Sequence, residues 1–205
     1  MRAVIFSGGS YGKPDFYKNE LKKDDFIIAA DGGCSFAEKL GVKIDVAIGD
    51  FDTLSVKNVK AKEIIKLNSE KDYTDSFEAL FLAKERGFYE VLMFGSTGTR
   101  VDHSLANIFL LKRAKDMGVN LTLFDENNIV YITESSLKLK KRENYHVSVI
   151  PITEVKGLTL SGLYYALENK DAEFSDMLGI SNEFLGDFCE ISVKKGTVLV
   201  VLSKD

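Results

Sequence analysis

The sequence predicts an α/β protein, with an N-terminal doubly wound, mostly parallel sheet domain followed by a C-terminal all-β, sandwich-like domain. Three observations carry this expectation. Short, continuously apolar runs alternate with helix-like stretches in the first part of the chain, as parallel strands covered on both faces require. Those runs end in glycine and acidic residues, the composition of strand-to-helix turns. After Leu123 helical periodicity nearly vanishes, and short β-rich runs separated by glycines replace it.

Val4-Ile5-Phe6 runs into Ser7-Gly8-Gly9, and Phe26-Ile27-Ile28-Ala29-Ala30 into Asp31-Gly32-Gly33. Val46-Ala47-Ile48 ends in Gly49-Asp50, Ile64-Ile65-Lys66-Leu67 is a further apolar run, and Val91-Leu92-Met93-Phe94 ends in Gly95-Ser96. Phe77, Leu80, Phe81 and Lys84 recur at helical spacing within 73–86, which Gly87 closes. Leu105, Ile108, Phe109 and Leu111 predict a second helix, closed by Gly118. The 73–86 helix, acidic and basic in equal measure, is expected to pack on the core rather than lie on a membrane surface. NIVYIT, YHVSVIPI, GLTLSGLYYAL, FCEISV and TVLVVL follow as strand candidates. The polar stretch 125–128 marks the boundary, giving domains 1–124 and 125–205.

The chain has 205 residues, 45% of them hydrophobic, 11% aromatic and 28% charged, which excludes disorder and a disulfide-stapled mini-fold. Its formal charge of −4 argues against nucleic-acid binding. Cys34 and Cys189 lie too far apart in sequence for a disulfide framework or a metal-ligand spacing. No stretch approaches the roughly 18 apolar residues of a membrane span, and the N-terminal run is too short for a signal peptide. A cytoplasmic protein without a membrane partner is expected.

In an open α/β sheet, ligands bind outside the carboxyl ends of the strands. Asp31, Asp50 and Asp52 stand there, Asp72 and Asp75 follow the 64–67 run where a helix begins, and Asp102 follows a glycine-rich loop. Acids gathered on one sheet edge repel one another unless a cation sits among them. Hard oxygen donors without a histidine or cysteine cluster suit Mg²⁺, which takes one or two carboxylates together with substrate phosphates. Ordinary roles stand beside this reading: Asp72 or Asp102 as helix caps, Asp75 at a helix's positive end, Asp31-Gly32-Gly33 as a turn. Gly95-Ser96-Thr97-Gly98-Thr99-Arg100 fits an anion cradle, with backbone N–H groups at a helix start and a forked guanidinium. It lacks the Lys-Ser/Thr of a P-loop. His103 reads as a packing or hydrogen-bonding residue.

DGG at 31–33, GDFDT at 49–53, KDYTD at 71–75 and GSTGTRVDHSLANI at 95–108 resemble the thiamine pyrophosphokinase family. GLTLSGLYYAL at 157–167 and GISNE at 179–183 resemble that family's C-terminal β-domain. The resemblance implies transfer of pyrophosphate from ATP to the hydroxyl of thiamine, giving thiamine diphosphate and AMP with Mg²⁺. It implies Asp50, Asp52 and Asp75 as catalytic metal-site residues, with Asp72 beside them. Asp31, Gly32, Ser96, Thr97, Gly98, Arg100 and Asp102 would hold ATP, and Ser181 and Asn182, read as a glycine-flanked turn, would face thiamine. It also implies a homodimer with composite active sites. Two features depart from the family pattern: Thr99 stands where Gly is usual and requires negative φ, and Tyr164-Tyr165-Ala166 replaces Lys-Tyr-Pro.

Two rivals remain at this point. VAIGDFDT places Asp-x-Asp after an apolar strand, as in haloacid-dehalogenase-type phosphatases with a covalent aspartyl nucleophile. There Leu54 replaces the expected Thr or Val, and a β-rich second half is foreign. A nucleotide sensor would need the glycine loop and Arg100 but not the acids.

Overall fold

The computed structural model describes residues 1–51, 59–70, 72–174 and 176–205. It divides into two compact units, Met1–Glu126 and Asn127–Asp205. Asp125 and Glu126 belong to the first because their side chains bond within it: Asp125 accepts from Thr97 Oγ1 at 2.8 Å, and Glu126 from the Lys13 amide at 2.9 Å.

The first unit contains β1 (Ala3–Phe6), α1 (Pro14–Glu20), β2 (Phe26–Ala30), α2 (Gly33–Lys39), β3 (Ile44–Gly49), β4 (Ala61–Lys66), α3 (Asp75–Glu85), β5 (Glu90–Phe94), α4 (Val101–Asp116) and β6 (Asn120–Phe124). Its strands pair in parallel in the order β6-β5-β1-β2-β3-β4. From β1 the chain builds outward through β2, β3 and β4, then returns to the other side of β1 with β5 and β6. The order therefore reverses between β1 and β5, the switch point at which open α/β sheets bind ligands. β1 is buried throughout, whereas the edge strand β4 is largely exposed and carries Lys62, Glu63 and Lys66.

Two short helices escaped the periodicity reading because each has only 7 residues. Pro14 at the first position, with Asp15 in the first turn, starts α1. Asp31-Gly32-Gly33 is an entry into α2 rather than a simple turn. A side chain at Gly33 would put its Cβ 2.1 Å from the Phe6 carbonyl oxygen, so only glycine lets α2 come this close to β1.

The longer helices lie where periodicity places them, but neither packs all of its apolar residues on the sheet. α3 buries Ser76, Ala79, Leu80 and Ala83, while Phe81 stays exposed in a ladder with Tyr73 and Phe77. α4 buries Asn107, Leu110, Leu111 and Ala114, leaving Leu105 and Phe109 exposed. Small residues permit close approach to the sheet, so the bulkier apolar residues fall on the opposite face. Both helices are apolar on two sides.

The second unit contains β7 (Asn128–Thr133), β8 (Ser136–Lys140), β9 (His146–Pro151), β10 (Val155–Ser161), β11 (Leu167–Ala172), β12 (Gly179–Asn182), β13 (Phe188–Ser192) and β14 (Val198–Ser203). Two antiparallel sets result, β12-β9-β14-β7 and β11-β10-β13-β8, giving the sandwich-like all-β region. The 157–167 run is not one strand: it breaks after Ser161, with Gly162 at φ +72°. Residues 179–182 form β12 rather than a turn, because they pair with β9, with a register shift between Gly179 and Asn182 that accommodates Ser181 at φ +54°. No helix among the described residues is long and apolar enough to cross a membrane.

Candidate active site

A cavity of about 360 Å³ opens at the switch point of the first unit. Ser7 to Ser10 after β1 and Ser96 to Arg100 after β5 line it, together with Asp31, residues Asp75 and Ser76 of α3, and His103, Ser104 and Asn107 of α4. The two loops are fastened to each other by backbone hydrogen bonds. Ser7 N–H donates to Phe94 O at 2.9 Å, Gly9 N–H to Gly95 O at 2.9 Å, and Ser10 N–H to Thr97 O at 2.7 Å. Gly9 is required by this closeness, since its Cβ would lie 2.3 Å from both Gly95 O and Thr97 O.

Side chains behind the loops hold their shape. The Tyr11 hydroxyl donates to Ser7 O at 2.5 Å, and its ring stacks on Phe36 with centroids 3.8 Å apart. Burial pushes the Tyr11 phenol well above its ordinary value, so it remains a donor. The Asn107 amide donates to Ser96 O at 2.7 Å. Ser104 Oγ accepts from Gly98 N–H and donates to Arg100 O, each at 3.1 Å. Thr99 stays out of the left-handed region, so its replacement of glycine brings no backbone strain.

Asp31 and Asp75 line the cavity, as do Ser96, Thr97, Gly98 and Arg100. Asp31 lies at φ +41°, with its N–H bonded to Ile48 O at 3.0 Å, which sets it beside the end of β3. Half-buried Asp50 directly follows that strand. Gly32 is the residue preceding α2. Asp75 begins α3, where Thr74 is the cap: its Oγ1 accepts from Phe77 N–H at 3.3 Å. Asp72 is exposed in the turn before that cap. Thr97 spends its hydroxyl on Asp125 and its carbonyl on the Ser10 N–H. Asp102 sits in the first turn of α4 and is paired with Arg100, which precedes the helix. Asp52 lies outside the described residues.

In the second unit Ser181 is exposed on β12. The Asn182 side chain is 1% exposed and hydrogen-bonded at both of its polar atoms. Its Oδ1 accepts from the Tyr165 and Glu183 amides at 2.9 Å, and its Nδ2 donates to Tyr165 O at 2.8 Å. Asn182 thus fixes the segment carrying exposed Tyr164 and Tyr165.

In the sequence Ser7-Gly8-Gly9 reads only as a strand end, Ser10 and Ser76 carry no signal, and Ser104 and Asn107 lie within the 95–108 motif without a role of their own. A glycine pair flanked by serines after an apolar run was the available signal for the first loop. The placement of Ser76 and Asn107 at the cavity depends on which helix face meets the sheet.

Among known proteins, the family profile described as thiamin pyrophosphokinase, catalytic domain, matches residues 17–123. The profile of the thiamin pyrophosphokinase vitamin B1 binding domain matches residues 134–198. The chain is 32% identical over 186 residues to the thiamine pyrophosphokinase of Bacillus subtilis (strain 168), spanning 87% of each protein. A crystal structure of the Bacillus subtilis thiamine pyrophosphokinase superposes with a TM-score of 0.91 at 28% identity, over the full length of both chains. That of the Geobacillus thermodenitrificans protein gives 0.87 at 28% identity, covering 100% of this chain and 98% of the other. With matches running through both units, in chain order and with the same fold, the chain belongs to the thiamin pyrophosphokinase family.

Proposed function

We propose that the protein transfers pyrophosphate from ATP to the hydroxyl of thiamine, producing thiamine diphosphate and AMP. The observation that carries this reading is the cavity itself. Two mutually fastened glycine-containing loops, the starts of α3 and α4, an arginine and two carboxylates meet there at the sheet's switch point. Backbone N–H groups and a guanidinium suit a polyphosphate, and the carboxylates suit a cation that accompanies it.

Asp31, Gly32, Asp72, Ser96, Thr97, Gly98, Arg100 and Asp102 hold the nucleotide in this proposal, and Asp50, Asp52 and Asp75 form the catalytic metal site. The donor set fits Mg²⁺. Asp31 and Asp75 offer hard carboxylate oxygens, and no group of three or more His, Cys, Asp or Glu among the described residues encloses an ion by itself. Mg²⁺ commonly completes its shell with water and substrate phosphate, and when bound it neutralises charge that develops on the transferred group. The protein's own task is positioning: the loops orient the polyphosphate so that the thiamine hydroxyl oxygen bonds to the β-phosphorus while the β-phosphorus–oxygen bond to AMP breaks.

Thiamine is a cation with two aromatic rings, and no Phe or Tyr lines the cavity. Ser181 and the Tyr164-Tyr165 segment fixed by Asn182 are the thiamine-facing elements in this proposal. We place them opposite the cavity of a second chain, in a homodimer with composite sites. The exposed apolar residues of α3 and α4, among them Phe81, Leu105 and Phe109, support a partner surface. The cytoplasm, where ATP is made and both free thiols stay reduced, is the compartment that fits.

Incubation with ATP, Mg²⁺ and thiamine, followed by nucleotide analysis, tests the reaction. AMP formation in step with thiamine diphosphate is expected. ADP would instead identify a simple kinase, and phosphate release without thiamine a phosphatase. Co-refolding an Asp50→Asn chain with a Ser181→Ala/Asn182→Ala chain tests the assembly. Partial recovery of activity supports composite sites, and no recovery in verified mixed dimers rejects them.

A further inference from the structure

The floor of the cavity is built from neutral hydroxyls. Ser7 follows β1, Ser76 is the second residue of α3, and Ser96 lies two residues past β5; they are 4%, 7% and 2% exposed, and all three line the cavity. Their backbones are anchored: Ser7 by its N–H to Phe94 and its carbonyl to Tyr11, Ser96 by its carbonyl to Asn107. The hydroxyls themselves are less fully occupied. Ser7 Oγ and Ser76 Oγ lie 2.5 Å apart in a mutual hydrogen bond. A serine hydroxyl carries one proton, so this bond consumes one of the pair's two protons. The other has no protein acceptor among the described residues, and neither does that of Ser96.

Two buried O–H donors thus face one cavity with nothing in the protein to receive them. Donors left without acceptors are costly when buried, and a site retains them when a ligand completes the bonds. At these hydroxyls the complementary ligand offers acceptors, while Asp31 and Asp75 of the same cavity suit its accompanying cation. Phosphoryl oxygens meet that requirement, whereas a thiamine cation does not and an adenine edge does so only in part. The location agrees, since the positive dipole end of α3 lies at Ser76.

We propose that Ser96 and the Ser7–Ser76 pair contact substrate directly, each donating its one spare proton to phosphoryl oxygens of the nucleotide's polyphosphate chain. This rests on the nucleotide-dependent reading above and assigns Ser7 and Ser76 a role in it. The Ser7–Ser76 bond makes the pair a single donor unit, so loss of either hydroxyl disturbs the same contact.

Calorimetric titration of the full-length protein with tripolyphosphate plus Mg²⁺, and separately with adenosine, tests the assignment in Ser7→Ala/Ser76→Ala and Ser96→Ala. Each variant should lose about 10-fold or more in tripolyphosphate affinity, the effect of removing one hydrogen bond to a charged group, with adenosine affinity within about twofold of wild type. Thermal unfolding without ligand supplies the second readout. Ser96→Ala should melt at or above the wild-type temperature, because an unpartnered buried hydroxyl has been removed, while still binding tripolyphosphate more weakly. Unchanged tripolyphosphate affinity in both variants would mean that water takes these protons and would overturn the proposal. Equal losses for both probes with a lowered melting temperature would reduce the serines to a structural role, as would a wild type that fails to bind tripolyphosphate. Selective tripolyphosphate loss in a protein that makes no AMP from ATP and thiamine would keep the serine floor and reject the pyrophosphokinase reading.

Discussion

Arg100 and Asp102 form a forked ion pair at the entrance of α4, with Arg100 Nε 3.2 Å from Asp102 Oδ1 and Nη2 2.6 Å from Oδ2. The hydrogen bonds from Arg100 hold the Asp102 carboxyl down to about 2, below its ordinary value of 3.8. Both side chains are exposed, so solvent screens the pair and its weight in folding is small. Because the Asp102 value is depressed in the folded state, the pair is intact at neutral pH and is lost as pH falls from the ordinary carboxylate range through about 2. Arg100 therefore waits at the cavity in a preset orientation, held by a bond weak enough to exchange for phosphate.

Arg100→Lys should accordingly weaken ATP use while leaving stability within about 1 kcal/mol of wild type. Lysine supplies a point charge where two parallel donors are needed. Steady-state kinetics against ATP, alongside denaturant unfolding, checks both halves. A large loss of stability with unchanged ATP kinetics would make Arg100 structural.

Asp75→Asn should lower turnover by orders of magnitude and leave the fold intact, since Thr74 caps α3 independently of the Asp75 carboxylate. Circular dichroism and thermal melting report the fold. Near-normal turnover at saturating Mg²⁺ would remove Asp75 from the metal site. Thr74→Ala is the converse variant, and loss of its cap should cost about 0.5–2 kcal/mol of stability.

Gly9→Ala tests the fastening of the two loops. The added Cβ would lie 2.3 Å from two carbonyl oxygens, both backbone, so the loop after β1 must move away from the loop after β5. Overpacking of this kind costs on the order of 1–3 kcal/mol, and nucleotide binding should fall with it. Wild-type melting and wild-type ATP affinity in this variant would show the contact to be dispensable.

Cys34 and Cys189 are free and buried, and burial pushes their thiols up to about 12 and about 11. Neither should react with a disulfide reagent at pH 8 in the native state, and both should react on unfolding. Raised values stabilise the fold below the ordinary thiol value of 9, and that contribution declines as pH climbs through 9 toward 11 and 12. Rapid native-state labelling at pH 8 would contradict the burial of these groups.

The α/β class, the parallel strands, the change to β structure after the first unit, and the positions of the acids and the glycine loop are legible in the sequence. These properties are local. A buried strand must be continuously apolar, a strand-to-helix turn uses glycine and aspartate, and helical spacing is visible over 11 or 16 residues. The sequence leaves open which face of α3 and α4 meets the sheet, because both helices carry apolar residues on two sides and close packing selects the smaller ones, Ala79 and Ala83 with Leu80, over Phe81. That choice brings Ser76 beside Ser7, 69 positions away, and Asn107 beneath Ser96. Pairing with β9 likewise makes a strand of Gly179–Asn182 and spends the Asn182 amide on Tyr165. The acids and the glycine loop are legible one residue at a time, whereas the hydroxyl floor exists only where the order reverses between β1 and β5 and the chain returns to its own beginning.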